Sequence, residues 1–482
     1  MHFMTTFSWS EEREKDLCQN KEEFFQTEHE ISIQGKKINY IATVGSLLLK
    51  DDNCKPTANF FFISYAKKDQ DAKRPVTFCF NGGPGSSSVW LHMGLAGPKR
   101  IAFKEDGSPE LPYNYVDNET SLLDLTDLVF IDPISTGYSR AIPANEAKKF
   151  HGVEEDIKSV ATFIELYLSQ FNRWESPKFI IGESYGTTRA TALTEYLRNT
   201  NFIDINGVLL ISSVLNFQTL YFHEGNDLPY PLFLPSYTAT ALYHNKLSQE
   251  FQQDFAKTLQ QAKDFATDEY TTALFKGDSL SQEERKKVAQ KLADFTGLSL
   301  SYLENSNLRV NMLYFAKELL REQKKTVGLF DSRILGTETA ATQGSIEYDP
   351  SMDTFTGVFT ATFNHYLHNE LACPINSPYK ILVDVFPWNY SCDNKYFNAS
   401  KDLSSSMTKN AAMRVFVASG CFDLATPFFA TEYTMQHLRL DPSIQKHLIL
   451  KNYQGGHMMY IIPSIRKELK QDIANFYKET LH

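Results

Sequence analysis

The sequence predicts an α/β protein with a mostly parallel central sheet, helices on both faces and an inserted helical cap. Short β-prone runs alternate with helix-like stretches over the first half of the chain, and sheet-like runs resume near its end. Such alternation is typical of parallel sheets, because successive parallel strands are joined by crossover helices. Between these two parts, from about residue 217 to 374, polar helical segments dominate, which indicates an insertion.

The individual elements follow from their local patterns. Gly35 lies between two β-prone runs and predicts a hairpin. The other predicted strands are Phe60–Ile63, Val76–Phe80, Leu128–Ile131, Lys178–Ser184, Gly207–Ile211, Met413–Val417 and His447–Leu450. Helices are predicted over Val153–Phe171, Thr187–Leu197, Leu247–Phe265 and Gln282–Phe295. We therefore expect residues 1–216 and 375–482 to form one core, and residues 217–374 to form the cap.

The composition argues against two classes of partner. The 482 residues are 42% hydrophobic and 22% charged, with a formal net charge of −10. The sequence contains no basic stripe, so nucleic acid is not an expected partner. No run approaches the roughly 18 apolar residues that a membrane span needs, so no membrane span is expected. The composition carries no prediction of oligomeric state.

Residues 1–20 bear on the location of the protein. Their apolar cluster is short, and the acidic side chains that follow it are Glu11, Glu12, Glu14 and Asp16. This pattern is unlike a cleaved signal peptide. A cytoplasmic location is therefore expected for the sequence as it stands, with export lacking a recognisable cleaved signal as the alternative.

Few residues are candidates for a disulfide, a metal or a cofactor. The six cysteines include no C-x-x-C pair and free thiols are favoured, although Cys373 and Cys392 are close enough in sequence to be bridged. His365 and His368 share the spacing of one helical face, but a third ligand is not evident, so no metal is expected. No cofactor is expected either, since the glycine-rich segment at 81–85 lacks the Lys-Ser/Thr of a phosphate-binding loop.

The pentapeptide Gly182-Glu183-Ser184-Tyr185-Gly186 is the first candidate for catalytic chemistry. It joins a predicted strand to a predicted helix, which is the setting in which a G-x-S-x-G serine becomes a nucleophile. The sharp turn pushes the serine Oγ out above the sheet. Ser184 is therefore the predicted nucleophile, provided that the chain also supplies a base, an acid and an oxyanion hole.

A serine nucleophile needs a histidine base and a carboxylate that fixes the tautomer of that histidine. In α/β-hydrolase folds the order along the chain is serine, acid, histidine. Asp423 follows the predicted strand Met413–Val417, and His457 follows His447–Leu450 with two glycines directly before it. Taken alone, Asp423 could instead cap a helix and His457 could be an ordinary loop histidine. Together with Ser184 they predict a catalytic triad and an α/β-hydrolase fold.

The segment Asn81-Gly82-Gly83-Pro84-Gly85 directly follows the predicted strand Val76–Phe80. An oxyanion hole needs backbone N–H groups aimed at the developing negative charge. Glycines let the backbone approach the substrate, as in the glycine-rich oxyanion loops of lipases and esterases. This segment is therefore the candidate oxyanion loop, with a plain turn as the alternative.

These motifs together resemble those of the serine carboxypeptidase family. The matching segments are Asn-Gly-Gly-Pro-Gly-Ser-Ser at 81–87, Asp132-Pro133 through Ser139, Gly-Glu-Ser-Tyr-Gly at 182–186, Ser-Gly-Cys-Phe-Asp at 419–423 and Gly-Gly-His at 455–457. They occur in the family's order, so the resemblance covers most of the chain. The first 30 residues and the predicted cap carry little of it.

The resemblance implies a hydrolase that releases C-terminal residues from peptides. It assigns a triad to Ser184, Asp423 and His457, oxyanion-hole amides to Gly83 and Tyr185, and binding of the substrate's terminal carboxylate to Asn81, Gly82 and Glu183. Two carboxylates repel unless one proton is shared, and a buried carboxyl near another has a raised pKa. The resemblance therefore implies best peptidase activity at acidic pH. Glu183 could alternatively stabilise the N-terminus of the following helix.

Three positions depart from the family's pattern. Ser86 stands where members often have a cysteine, and Thr187 stands where a second glycine is usual. Leu95 lies near the position at which many members have a second acidic residue of the carboxylate-binding network. Leu95 cannot share a proton, so the acidic optimum and the carboxylate recognition are less firmly implied than the triad. Trp90, Met93 and Leu95 are candidates for an apolar pocket.

The leading hypothesis is a serine carboxypeptidase-like hydrolase that acts through an acyl-enzyme on peptides with a free C-terminal carboxylate. An esterase or acyltransferase with the same triad is the alternative within enzymes. A catalytically inactive binding module on this scaffold is the alternative from another class. Covalent labelling by a fluorophosphonate, abolished in Ser184→Ala, distinguishes the last hypothesis from the other two.

Overall fold

A computed structural model of the chain describes residues 22–69, 71 and 73–482. Its strands alternate with helices in the order that the sequence pattern predicts. In chain order the strands are β1 (Phe24–Ile33), β2 (Lys36–Lys50), β3 (Pro56–Lys67), β4 (Val76–Phe80), β5 (Lys99–Ile101), β6 (Tyr115–Asp117), β7 (Asp127–Ile131), β8 (Arg140–Ala141), β9 (Lys178–Ser184), β10 (Gly207–Ser213), β11 (Thr326–Val327), β12 (Leu335–Gly336), β13 (Arg414–Gly420) and β14 (Leu448–Tyr453).

The central sheet is mixed and mostly parallel. Its order is β1-β2-β3-β7-β4-β9-β10-β13-β14, and β8 pairs with β3. Strands β1 to β3 form an antiparallel meander that joins β7, whereas the pairs from β7 through β14 are all parallel. The inner parallel strands are mainly apolar because both of their faces are covered, and β4 is buried throughout. The edge strand β14 is largely exposed or half-buried. The predicted α/β-hydrolase fold class is confirmed.

Four loops meet at one edge of this sheet, because parallel strands point their carboxyl ends the same way. Strand β4 leads into Asn81, β9 ends at Ser184, β13 leads to Asp423 and β14 leads to His457. Strands β4 and β9 are direct neighbours, as are β13 and β14. The topology therefore brings segments that are far apart in sequence to the same edge.

Helices cover both faces of the sheet. Successive residues of β9 alternate between two apolar clusters, with Ile180 in one and Ile181 in the other. Helices Val153–Gln170 and Tyr185–Tyr196 pack into the cluster of Ile180, and helix Pro463–Leu481 packs into that of Ile181. The other α-helices are Val89–Leu91, Pro229–Tyr243, Gln249–Gln252, Phe255–Phe265, Thr271–Lys276, Gln282–Thr296, Leu300–Asn305, Met312–Glu318, Pro350–Asn369, Ser400–Lys409, Phe428–Gln436 and Pro442–Gln445.

Residues 217–374 contain most of the remaining helices. Helices Pro229–Tyr243, Phe255–Phe265 and Gln282–Thr296 pack together in a third apolar cluster. Helix Pro350–Asn369 instead packs into the core beside the sheet, where the ring of Phe359 lies 4.6 Å from that of Trp90. The division into core and cap at residues 217 and 374 stays a prediction.

Most predicted elements are confirmed. Strand β4 coincides with its predicted run, and the first hairpin turns at Gly35 with a φ of +76°. The predicted helix Leu247–Phe265 is interrupted and forms helices Gln249–Gln252 and Phe255–Phe265. The interruption has a local cause, because the Asp254 side chain accepts a backbone N–H and begins the second helix.

The expectations for the first residues of the chain are not addressed by the structure. Residues 1–20, with Cys18, lie outside the described residues. Within residues 22–69, 71 and 73–482, no helix is long and apolar enough to cross a membrane.

Candidate active site

Ser184 lies on a sharp turn between β9 and helix Tyr185–Tyr196. Its φ is 59°, a conformation that residues with a side chain seldom adopt. Gly182 permits the turn, because a Cβ there would lie 2.2 Å from the carbonyl oxygen of Gly186. Ser184 is partly exposed, whereas both of its neighbours are buried. The local sequence thus folds into the strained strand–helix turn that presents a serine.

Asp423 and His457 are in contact and buried beyond the ends of β13 and β14. His457 Nδ1 lies 2.7 Å from Asp423 Oδ2, so Nδ1 donates and Nε2 keeps its lone pair. Thr426 Oγ1 also donates to Asp423 Oδ2, at 2.6 Å. Asp423 Oδ1 accepts the backbone N–H groups of Ala425 and Thr426. One carboxylate therefore holds this turn and orients the histidine. Asp423 does not cap the following helix, because that helix begins at Phe428 with Pro427 as its N-cap.

The surroundings of His457 act on its pKa in opposite directions. Burial lowers the pKa of His457, but the Asp423 carboxylate raises it, with further contributions from Glu183 and Asp349. The net result is a pKa above the ordinary value of histidine. The imidazolium that a general base forms is therefore stabilised at this position.

Phe330, the residue before Asp331, helps to hold His457. The His457 N–H donates to the Phe330 carbonyl at 2.5 Å, and the two rings meet edge to face at 4.5 Å. Nε2 of His457 is buried and has no hydrogen-bond partner among the described residues. His457 and Ser184 line the same cavity. Such a serine–histidine pair often tightens only when substrate binds.

The loop after β4 lies directly against the turn that carries Ser184. A Cβ on Gly82 would be 2.4 Å from the amide nitrogen of Tyr185, so the two backbones are in contact. Tyr185 begins its helix, and its N–H therefore has no partner within that helix. Gly83 is exposed, and buried Arg189 fixes the loop by donating to the Asn81 carbonyl at 2.6 Å. The predicted oxyanion loop and the predicted nucleophile are thus adjacent.

Glu183 is a buried carboxyl, 2% exposed, beside Ser184. Its Oε2 accepts hydrogen bonds from Asn81 Nδ2 at 2.9 Å and from the Tyr460 hydroxyl at 2.7 Å. Burial raises the pKa of Glu183 to about 7, although His457 and the two hydrogen bonds act in the opposite direction. A carboxyl that keeps its proton near neutral pH can donate that proton to an acceptor in the cavity.

A cavity of about 90 Å³ connects these groups. Trp90 lines it as expected, whereas Met93 and Leu95 are buried in the core beside the sheet. The remaining apolar wall was not predicted, because it comes from segments far from the motifs. The lining residues are Asn81, Gly82, Gly83, Ser86, Trp90, Glu183, Ser184, Phe330, Met352, Leu382, His457 and Met458.

Two residues of the site were missed from the sequence. Thr426 follows Asp423 by three positions, a spacing at which hydroxyl and carboxylate side chains often form local hydrogen bonds. Tyr460 follows His457 by three positions, but its partner Glu183 is distant in sequence. The role of Thr426 could therefore have been found from a local pattern, whereas that of Tyr460 could not.

Other candidates from the sequence lie outside this site. Cys373 and Cys392 are free, as are the other cysteines of the described residues. His365 is hydrogen-bonded to Asn369, and His368 is hydrogen-bonded to the Cys373 carbonyl. In the part of the chain that the structure describes, no group of three or more His, Cys, Asp or Glu residues could hold a metal ion.

Known proteins resemble this chain over limited segments. Serine carboxypeptidase-like 46 of Arabidopsis thaliana is 27% identical over 178 residues, which cover 35% of this chain and 35% of that protein. Carboxypeptidase Y of Saccharomyces cerevisiae is 30% identical over 162 residues, covering 32% of this chain and 26% of that protein. In neither relative does the matched segment exceed 35% of that protein's length.

Two further comparisons cover most of the chain. A carboxyl esterase from Bacillus coagulans aligns over 91% of this chain and 98% of its own, with 12% identity and a TM-score of 0.37. The family model described as serine carboxypeptidase matches residues 49–457, which include every predicted site residue. Because this match extends over far more than half of the sequence, the chain belongs to the serine carboxypeptidase family.

Proposed function

We propose that this chain is a serine carboxypeptidase that releases the C-terminal residue of peptides. Family membership supports the reaction class. The observation that carries the substrate assignment is the buried Glu183 carboxyl, which lines one cavity together with Ser184 and His457. A protonated carboxyl beside a nucleophile suits a substrate that ends in a carboxylate, because the two groups can share a hydrogen bond instead of repelling.

In the acylation step, Ser184 Oγ attacks the carbonyl carbon of the last peptide bond, and His457 Nε2 takes the hydroxyl proton. Asp423 keeps the imidazole in the required tautomer and stabilises its charge. Nε2 then gives the proton to the leaving nitrogen, the C–N bond breaks, and the C-terminal residue departs. In deacylation, water gives a proton to Nε2 and attacks the acyl carbon, and Ser184 Oγ leaves with that proton.

The oxyanion that forms in both steps is assigned to the amides of Gly83 and Tyr185. The contact between Gly82 and the Tyr185 backbone supports this assignment, since it brings the loop after β4 against the start of the helix that follows Ser184. The loss of one oxyanion-hole donor typically costs about 10²–10³ in turnover.

The substrate's terminal carboxylate is assigned to Asn81, Gly82 and Glu183. The Asn81 amide is already bonded to Glu183, so the two side chains form one polar wall of the cavity. With the pKa of Glu183 at about 7, its carboxyl is mostly protonated in mildly acidic solution and can donate to the substrate. Binding of the terminal carboxylate is therefore proposed to be best below about pH 7.

The release of free amino acids from N-blocked dipeptides tests this proposal, compared with cleavage of the matching esters between about pH 4 and pH 8. We expect release of the C-terminal amino acid and its loss in Ser184→Ala. If esters are cleaved while dipeptides with a free carboxylate are untouched at every pH, the carboxypeptidase assignment fails.

An esterase or acyltransferase with the same triad is the second candidate. It is favoured by Leu95, which is fully buried near the position where many family members have an acidic residue. The comparison of ester and dipeptide cleavage separates it from the first candidate. An inactive binding module would give a wild-type chain that a fluorophosphonate does not label.

A cytoplasmic location is retained as a proposal. The free thiols of Cys373 and Cys392 support it, because disulfides form mainly in oxidising compartments. Export without a recognisable cleaved signal is the alternative. Imaging of the tagged full-length chain in its own cells distinguishes the two.

A further inference from the structure

Tyr460 is a buried polar residue of the cavity's surroundings that the family's motifs do not assign. Its hydroxyl donates to Glu183 Oε2 at 2.7 Å, and Asn81 Nδ2 donates to the same oxygen at 2.9 Å. Tyr460 is fully buried and Glu183 nearly so. Both of these hydrogen bonds are made to Oε2, and Glu183 lines the cavity. The two oxygens of one carboxyl are therefore in different environments.

The position of Tyr460 is built into the fold. It lies in the short turn Met459–Ile461, directly after His457. Its ring packs over Gly94, where a Cβ would lie 2.3 Å from Tyr460 Cε2. Gly94 adjoins Leu95, so the phenol enters the carboxylate site beside the position that lacks a second carboxyl.

We propose that Tyr460 is a positioning residue that fixes the proton of neutral Glu183 on Oε1, from which it is donated to the substrate's terminal carboxylate. This inference rests on the proposed function. No covalent bond is made or broken, and the proton stays within the hydrogen bond between Glu183 and the substrate. Substrates without a free carboxylate gain nothing from this arrangement.

The chemical reason is the different acceptor strength of the two oxygens of a carboxylic acid. The carbonyl oxygen accepts hydrogen bonds through two lone pairs, whereas the hydroxyl oxygen is mainly a donor. Two donors converge on Oε2, so the tautomer with its carbonyl there and its hydroxyl at Oε1 is favoured. Burial raises the pKa of the Tyr460 phenol well above its ordinary value, so this hydroxyl stays a donor.

The charged and titratable groups that act on Glu183 are few. His457 favours the ionised form of Glu183, and Asp423 opposes it. The hydrogen bonds of Tyr460 and Asn81 both lower the pKa of Glu183. Removal of the Tyr460 hydroxyl should therefore raise that pKa and move the loss of dipeptide binding to higher pH.

The decisive variant is Tyr460→Phe, which removes the hydroxyl and keeps the ring over Gly94. At low pH we expect KM for a blocked dipeptide to rise roughly two- to tenfold, the equivalent of one hydrogen bond. The fall of kcat/KM at alkaline pH should move to higher pH at the same time. The loss should be larger for the dipeptide than for an ester without a carboxylate. Unchanged KM and an unmoved alkaline limb would overturn the proposal.

Tyr477→Phe is the matched control, since it removes another buried phenol hydroxyl, which lies 2.7 Å from Thr77 Oγ1 at the start of β4. This variant should lower thermal stability without moving the alkaline limb. If Tyr460→Phe and Tyr477→Phe shift the alkaline limb of kcat/KM equally, the effect is general destabilisation and Tyr460 has no special role.

Glu183→Gln provides a test that does not require Tyr460→Phe to fold. A glutamine can accept at the position of Oε2 and donate an N–H at that of Oε1. Glu183→Gln should therefore give a lower KM for the dipeptide than Glu183→Ala does. Its kcat/KM for the dipeptide should lack the alkaline limb. Equal loss in both variants contradicts the proton assignment. If the wild-type chain cleaves esters but releases no C-terminal residue, the proposed function itself fails.

Discussion

Asp423 and Glu183 are two buried carboxyls at the same edge of the sheet, but their surroundings are opposite. Asp423 accepts four hydrogen bonds that are spread over both oxygens, an arrangement that stabilises a negative charge. Glu183 accepts two, both on one oxygen, and burial raises its pKa to about 7. The difference suggests how one functional group, the carboxyl, can serve as the hydrogen-bond partner of His457 and as a proton donor beside Ser184.

The comparison assigns each carboxyl to a different part of the reaction. In the proposed mechanism, Asp423 supports the charge that develops on His457 in every turnover, whatever the substrate. Glu183 is proposed to act only on a substrate that carries a carboxylate. Changes around Asp423 should therefore affect dipeptides and esters alike, and changes around Glu183 should separate them.

The largest expected effect comes from Asp423→Asn, which keeps the shape of the side chain but removes its charge. The amide can donate to His457 Nδ1 and so stabilise the wrong tautomer, for which a loss in kcat of about 10⁴ is expected. Steady-state kinetics with a blocked dipeptide and its ester should show the same loss. Asp441→Asn is the control, since Asp441 caps the short helix Pro442–Gln445 and does not line the cavity. A loss restricted to dipeptides would contradict the assignment, because it would place Asp423 instead of Glu183 in carboxylate recognition.

The next effect is a difference between two pH profiles. Because the pKa of Glu183 is raised to about 7, its protonated form is present below that pH and is lost as the pH rises through it. For dipeptides kcat/KM should fall about tenfold per pH unit above about pH 7. Esters without a carboxylate should lack this fall. Both substrates should lose activity at low pH as His457, whose pKa is raised, becomes protonated.

These profiles sharpen the comparison because each limb reports a different group. The acidic limb reports His457, which Asp423 orients, and it should be shared by both substrates. The alkaline limb reports Glu183 and should be specific to dipeptides. If the pH profiles for dipeptides and esters superimpose, Glu183 does not take part in carboxylate recognition, and the esterase alternative is favoured.

A smaller effect is expected at Thr426, which supplies two of the four hydrogen bonds to Asp423, one from its backbone and one from its hydroxyl. Thr426→Val keeps the shape of the side chain and removes the hydrogen bond at 2.6 Å. Because hydrogen bonds to charged groups are worth about 1.5–3 kcal/mol, kcat should fall roughly tenfold or more, equally for dipeptides and esters. Thr431→Val is the matched control, since Thr431 is buried nearby and bonded to the Ser213 carbonyl instead. An equal loss in the control would indicate a packing effect.

The sheet and the positions of Ser184, Asp423 and His457 could be predicted because their signals are local. Strand β4 is five buried residues in a row, and Asp423 and His457 lie in the loops shortly after the ends of β13 and β14. The order of these segments along the chain then fixes which loops share an edge. The catalytic roles of these residues stay predictions until the variants are measured.

The contacts that could not be predicted are those between distant segments. Tyr460 bonds to Glu183 only because β9 and the loop after β14 reach the same edge, and because Gly94 leaves room for its ring. Helix Pro350–Asn369 has the helical pattern expected of the cap, but that pattern does not say which surface it packs against. Hydrophobic periodicity identifies an apolar face and not its partner.

The smallest expected effect concerns the apolar wall of the cavity that Glu183 and His457 line. Leu382 lines the cavity and is 46% exposed, so its side chain can contact a substrate side chain. Leu382→Ala should reduce the preference for leucine over alanine in a series of blocked dipeptides by about threefold, the equivalent of part of a buried side chain. The pH limbs of Glu183 and His457 should not move, because Leu382 carries no charge. Leu335→Ala is the control, since Leu335 is 43% exposed and lies outside this cavity. An equal change in both variants, or a shifted limb in Leu382→Ala, would contradict a role limited to side-chain preference.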